Sequence, residues 1–149
     1  MDLLSSIQIS ASALSAERTR LNVISQNLAN AYTTRTPQGG PYRRQITVFS
    51  AVPFSNRLRA AMMNPPHPGA PEPTAGVLVE GIYKDPSPFK RVYDPTHPDA
   101  DAQGYVTYPN VNIVTEMVNL IQATRSFEAN VSAINAAKAM ALKALEIGR

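Results

Sequence analysis

At the N-terminal end Leu3, Ile7, Ala11, Leu14, Leu21, Ile24 and Leu28 recur at steps of three, four or seven residues. Ile7, Leu14, Leu21 and Leu28 form one heptad series. The pattern predicts a helix from about Leu3 to Ala31. Asp2 stands where an N-cap or a first-turn acid suits the helix dipole. At the other end Ile113, Met117, Leu120, Thr124, Phe127, Val131, Ile134, Lys138, Ala141 and Leu145 alternate steps of four and three. That is a heptad seam about five repeats long. Asn110 or Asn112 can cap it after Pro109, and Gly148 occupies a C′ position. Seams this long and narrow point to a coiled coil rather than an ordinary buried helix face.

All thirteen prolines lie between Pro37 and Pro109. Proline removes a backbone donor and blocks helix interiors, so the chain divides into helix, non-helical insert and helix. Short β-rich runs occupy the insert at Arg43–Ala51, Val77–Lys84, Phe89–Tyr93 and Gly104–Tyr108. Phe127 is the only aromatic outside Tyr32–Tyr108, so the insert is expected to hold a small core of its own. Asn64–Pro73, with five prolines in ten residues, reads as a mobile or extended loop.

The expected fold class is α+β. Long N- and C-terminal helices pair as a coiled-coil hairpin, with a small proline-rich, mostly β insert. The divisions fall at 1–36, 37–109 and 110–149, with 57–74 a flexible loop inside the insert. So small a middle cannot cover two such helices. Ile7, Leu14, Leu21 and Leu28 are expected to pack on Met117, Leu120, Phe127, Val131 and Ile134, or on neighbouring copies.

Composition supports partners rather than chemistry. Charged residues make up 17% of the chain, below the roughly 25% usual for soluble domains. The net charge of +3 is too mild to imply a nucleic-acid ligand. Charge is segregated, however. Arg18, Arg20, Arg35, Arg43, Arg44, Arg57 and Arg59 precede Pro71 with no acid among them, and acids dominate from Glu72 to Asp101. Arg18, Arg20, Arg44, Asp99 and Asp101 are candidates for ion pairs between subunits, the alternative being a solvated surface. With no cysteine, disulfides and thiolate chemistry are excluded. No apolar run approaches the roughly 18 residues of a membrane span. The N-terminus lacks the basic and apolar regions of a cleavable signal.

Candidate chemistry is sparse. Asp94, His97, Asp99 and Asp101 have neither calcium-loop nor zinc-site spacing, so an aspartate-capped turn accounts for them better than a metal. Glu116 and Glu128 are 12 residues apart on one helix, too far for an acid/base pair. Nucleophile-elbow, Walker and dinucleotide motifs are absent. No enzyme, cofactor or metal is expected, and no reader motif accompanies the arginines.

Ser25-Gln26-Asn27-Leu28-Ala29-Asn30-Ala31-Tyr32-Thr33-Thr34, running on to Gly40-Pro41-Tyr42-Arg43-Arg44, resembles the N-terminal signature of bacterial flagellar rod and hook proteins. The generic pattern has asparagine at the place of Tyr32 and a shorter path to the tyrosine. The longer path here is similar to the proximal-rod branch. Tyr93–Asp101, Tyr108–Asn112, and Glu116–Val118 through Arg125–Asn130, ending in Ala136–Lys138 and the Leu142–Arg149 tail, resemble the same branch.

The resemblance implies a structural axial subunit of the proximal rod, transmitting torque across the periplasm through helix packing. It implies export by the flagellar type III apparatus without a cleaved signal. Its implied partners are other rod proteins, further copies of itself, the hook–basal body junction and the membrane ring. It carries Asn27, Asn30, Thr33, Tyr42 and Arg43 over as contact positions. The competing readings are a cytoplasmic coiled-coil adaptor or chaperone of a secretion system, and an arginine-driven nucleic-acid binder.

Overall fold

The computed structural model describes residues 3–51, 62 and 76–147. Asp2, Gly148 and, apart from Met62, the 57–74 stretch lie outside the described residues. The elements are α1 (Leu3–Ala29), β1 (Gln45–Ala51), β2 (Val77–Lys84), β3 (Lys90–Tyr93), β4 (Tyr105–Tyr108) and α2 (Ile113–Ile147). The class is α+β.

α1 stops two residues before the Ala31 expected from the periodicity. Asn30 N–H still reaches Gln26 O at 3.1 Å, but Ala31 N–H tightens onto Leu28 O at 3.2 Å. The Asn30 side chain donates to the same Gln26 carbonyl at 2.9 Å, satisfying a helix-end acceptor. At the start of α2, Asn112 Oδ1 accepts from Val114 N–H and Thr115 N–H at 3.0 and 3.2 Å. Asn112 is therefore the cap, which leaves Asn110 free for another role.

β1 and β2 pair antiparallel from Gln45↔Lys84 to Ala51↔Val77, with a bulge between Val48 and Phe49. β3 and β4 pair antiparallel from Lys90↔Tyr108 to Tyr93↔Tyr105. The strands thus form two separate two-stranded sheets rather than one β layer. Two-stranded sheets are marginal alone, and β1 and β2 both pack on α1. The Ser12 hydroxyl of α1 accepts from Val77 N–H at 3.1 Å, pinning the start of β2 to the helix. Val106 is the only buried residue in the described strands, so among the described residues the insert holds no buried aromatic. Tyr83 and Tyr93 are more than half exposed, and Tyr105 is 40% exposed. Gly104 closes the β3–β4 connection at φ +81°, and a Cβ there would stand 2.9 Å from the Tyr93 ring. Both the backbone angle and the ring exclude a side chain.

α1 and α2 pack together, with Ala16, Val23 and Ile24 on α1 and the small Ala123 and Ala137 on α2 buried. Among the described residues the buried apolar ones are Ala16, Val23, Ile24, Ala31, Val106, Ala123 and Ala137, four of them alanine. Alanine lets helix backbones approach closely but buries little area, so this core is thin. Ala123 is wholly buried. Ala123→Leu should force the helices apart at a cost of about 1–3 kcal/mol. Urea denaturation checks this, and an unchanged midpoint would refute the close contact.

Candidate functional site

With so little apolar burial, the junction of helices and strands depends on a polar cluster. Its centre is Glu116 in the first turn of α2, 1% exposed. Glu116 Oε1 accepts from Arg44 Nη2 at 2.7 Å and Arg44 Nε at 2.9 Å. Glu116 Oε2 accepts from Asn27 Nδ2 at 3.0 Å. The second terminal nitrogen of Arg44, Nη1, bonds Asp85 Oδ2 at 3.1 Å. One planar guanidinium so bridges two acids, a geometry lysine cannot supply.

Asn27, also 1% exposed, joins α1 to this cluster. Its amide donates to Gln45 O at 2.8 Å as well as to Glu116. Its Oδ1 accepts from Gln45 N–H and from the Tyr42 hydroxyl, both at 2.9 Å. Both donors and both lone pairs are used, so the amide orientation is fixed. Asn110 Oδ1 accepts from Arg44 N–H at 2.8 Å, and its amide nitrogen lies 3.3 and 3.2 Å from Asp85 O and Ser87 O. Arg43 Nη1 donates to those carbonyls at 2.8 and 3.2 Å, and its guanidinium lies 4.2 Å over the Phe89 ring. The clasp thus ties α1, β1, the end of β2 and the start of α2 into one unit.

A buried ion pair is favourable only when its remaining polar atoms are satisfied. Here both oxygens of Glu116 have donors. Hydrogen bonds from the Ser87 hydroxyl and amide, then from Arg44, lower the Asp85 pKa from 3.8 to about 2. Burial disfavours the Arg44 charge, but the hydrogen bonds to Glu116 and Asp85 outweigh it and raise its pKa. Burial, then the Glu116 charge, raises the Tyr42 pKa above 10.0.

The signs set two pH limits. The depressed Asp85 contributes stability that is present above about pH 4 and is lost as pH falls towards 2. The raised Tyr42 contributes stability that is present below pH 10 and is lost as pH rises above it. Asp85→Asn should therefore flatten the acid limb of a stability–pH curve. An acid limb as steep as that of the parent chain would refute the assignment.

The longer path between Thr34 and Tyr42 has a simple geometry. Thr36 N–H bonds Gly40 O at 2.8 Å and Gly39 N–H bonds Thr36 O at 2.9 Å. Gly39 and Gly40 sit at φ +88° and +73°, as such a tight turn requires. Tyr42 N–H then returns to Thr33 O at 3.0 Å, so the excursion closes on itself and delivers Tyr42 to Asn27. Thr33 Oγ1 bonds Asn30 Oδ1 at 3.2 Å. Thr34 Oγ1 bonds Asp99 Oδ2 at 2.7 Å, tethering the excursion to the β3–β4 loop.

The structure brings Asn27, Tyr42 and Arg43 to the clasp and leaves Asn30 and Thr33 in the adjoining turn. Of the charge candidates, Arg44 is engaged inside the chain and Arg20 lies 3.8 Å from Glu17. Asp101 pairs with Arg91 at 2.9 Å on the surface, a contact worth little by itself. Arg18 is exposed and has no ion pair among the described residues. Asp94 and Asp101 accept from the backbone two residues on, as aspartate-capped turns do.

Ile7, Leu14, Leu21, Leu28, Leu120, Phe127 and Ile134 are half-buried. Met117 is 52% and Val131 37% exposed. On α2 the buried positions are Glu116, Ala123 and Ala137, one residue before the Met117, Thr124 and Lys138 column. Glu116 and Asn110 carry the clasp and were not singled out by the heptad pattern. Their legible trace is one acid in the first turn of an apolar helix and a second asparagine next to the cap.

Comparison with known proteins decides the family. The family described as "Flagella basal body rod protein" matches residues 7–35. The one described as "Flagellar basal body rod FlgEFG protein C-terminal" matches 102–147. Between them these spans hold Asn27, Asn110 and Glu116. The "Flagellar basal-body rod protein FlgC" of Bacillus subtilis (strain 168) is 48% identical, aligned over 97% of each chain. That of Borreliella burgdorferi is 45% identical over 99% of this chain and 98% of its own. That of Escherichia coli O6:H1 is 44% identical over the whole of both.

The chain belongs to the FlgC family of flagellar basal-body rod proteins. As a member of the FlgC family it is a structural component of the rod and not an enzyme. Membership brings association with other rod and basal-body proteins. Among its described residues no helix is long and apolar enough to cross a membrane.

Proposed function

We propose that this chain is an axial subunit of the proximal rod that carries torque across the periplasm through helix seams shared between subunits. The carrying observation is the apolar surface that α2 leaves open. Val114, Met117, Val118 and Ile121 recur at helical spacing, and each is more than half exposed. Met140, Leu142 and Leu145 extend exposure to the end of the helix. Such surface on a soluble chain marks an interface.

Repeated contacts between unlike faces build open helical filaments, which suits a rod. The terminal helices would pair as a coiled-coil hairpin completed by neighbours. The stretches 1–36 and 110–149 supply the seams, and 37–109 supplies subunit-specific contacts. The clasp has the mechanical task of holding the β strands rigidly to the helices, so that load on one reaches the other. Neighbours would include copies of this chain, sister rod proteins, the hook–basal body junction and the membrane ring. Type III export without a cleaved signal would bring the chain to the site.

Image reconstruction of purified basal bodies tests the reading. The expected result is this chain as an axial density between membrane ring and hook. A chain that fractionates with the cytoplasm at steady state would overturn it in favour of an adaptor or chaperone.

A further inference from the structure

The chain holds five methionines and no cysteine, so every sulfur in it is a thioether. Two of the five stand on α2, one in each stretch of its open apolar surface. Met117 lies among Val114, Val118 and Ile121 and is 52% exposed. Met140 precedes Leu142 and Leu145 and is 57% exposed. Among the described residues the buried positions of α2 are Glu116, Ala123 and Ala137, so neither methionine holds the helices together.

With no thiol to react first, a peroxide meets these thioethers. A lone pair of Sδ attacks one peroxide oxygen and the O–O bond breaks. The proton on the attacked oxygen moves to the departing one, which leaves as water. Sulfur is oxidised by two electrons to the sulfoxide, and the peroxide is reduced.

This reaction changes the helix face and not the fold. The sulfoxide is a polar hydrogen-bond acceptor on a side chain that was apolar. In the free chain water satisfies the new oxygen, so the packing of α1 on α2 is untouched. Against an apolar neighbour the oxygen would lose its water and find no donor. A buried acceptor left without a partner weakens a contact roughly tenfold. Met117 and Met140 stand about 35 Å apart along α2, so oxidation at either one damages a different stretch of the face.

We propose that Met117 and Met140 are oxidation sites that decide whether a subunit can join the rod. The proposal rests on the reading that the open face of α2 is covered by an apolar neighbour there. It adds a chemical condition to that reading. A chain oxidised before assembly is excluded, and a chain already assembled is shielded. Methionine sulfoxide reductases reverse the reaction, so an excluded chain can be restored.

Hydrogen peroxide is applied in parallel to the purified full chain and to purified basal bodies. Peptide mass spectrometry then reads the oxygen added at each methionine. Met62, 76% exposed, reports the dose received by the free chain. Met117 and Met140 should keep pace with Met62 in the free chain and react at least about tenfold more slowly in basal bodies. The oxidised chain should keep the urea midpoint of the untreated one. Assembly is read in cells that lack methionine sulfoxide reductases and grow with sublethal peroxide. Basal-body yield, taken against each strain's own untreated culture, should fall about tenfold for the parent chain. The combined Met117→Leu and Met140→Leu variant should lose little of its own yield. Met117→Gln, which places a permanent polar group on the face, should lower the yield without peroxide. Equal losses in parent and leucine variant, or full yield for Met117→Gln, would overturn the proposal. So would a midpoint lowered by oxidation, or equal reactivity of both methionines in the free chain and in basal bodies. Absence of the chain from the basal bodies would instead sink the rod reading itself.

Discussion

Asn27→Asp is expected to open the clasp. The substitution is nearly isosteric, so its effect is chemical. It removes the two donors that Asn27 gives to Gln45 O and Glu116 Oε2. It also sets a second carboxylate about 3 Å from Glu116, inside a site from which water is excluded. Breaking a buried charge network in this way costs about 3–5 kcal/mol. Whole domains have only about 5–15 kcal/mol of stability, and the apolar core here is thin. Urea or thermal unfolding should show a large loss, and β1 amides next to Gln45 should exchange faster.

The pH dependence gives this variant a signature. Two carboxylates in contact raise the pKa of one of them, since both cannot ionise cheaply. A raised pKa means that stability is present at low pH and lost as pH rises. Asn27→Asp should therefore be more stable at pH 5 than at pH 8, where the parent chain should change little. Adding Glu116→Gln should recover part of the loss by returning a donor to the pair. It cannot recover all of it, because Gln45 O still faces an acceptor. A variant as stable as the parent at pH 8 would show that the clasp does not hold the junction.

What the sequence reveals of this molecule follows the range of the forces involved. The helices and the four strand runs depend on neighbours within a few residues, and their positions are legible to within two residues. Asn112 as a cap and the aspartate turns at Asp94 and Asp101 belong to the same local class. The clasp does not, because Asn27 and Glu116 are 89 residues apart in sequence and 3.0 Å apart in space. The family resemblance marks Asn27, Tyr42 and Arg43 as contact positions, and within the chain their contacts are with the clasp.

The heptads mislead for a different reason. Periodicity selects large apolar side chains, so it points to Met117 and Val131. Two helices packed by themselves bury Ala16, Ala123 and Ala137, with Val23 and the periodic Ile24 as the larger buried residues on α1. The large residues of α2 are left at the flanks or outside. The aromatic content of the insert misleads likewise. Two separate two-stranded sheets offer no shared interior, so most of the tyrosines stay on the surface.

That separation of small inward residues from large outward ones leads to the second large effect. Ile121→Asp and Val118→Asp are expected to abolish motility while leaving the isolated chain folded. Ile121 is 55% and Val118 60% exposed, so neither holds the chain together. Exposed substitutions of this kind usually change stability by less than about 0.5 kcal/mol. In an assembly the same positions would be covered. A carboxylate would then be buried against an apolar neighbour without a partner, costing several kcal/mol at every repeat of the contact. Repetition along the rod turns a modest local penalty into failure to assemble. Soft-agar swimming and the yield of basal bodies measure this, with circular dichroism and urea unfolding as the control on folding. Leu21→Asp and Phe127→Asp, at half-buried positions, should also abolish swimming but should lower the unfolding midpoint as well. Normal swimming by Ile121→Asp would mean that the open face of α2 is not an interface. A shifted midpoint in that variant would mean that the face is covered within the chain itself.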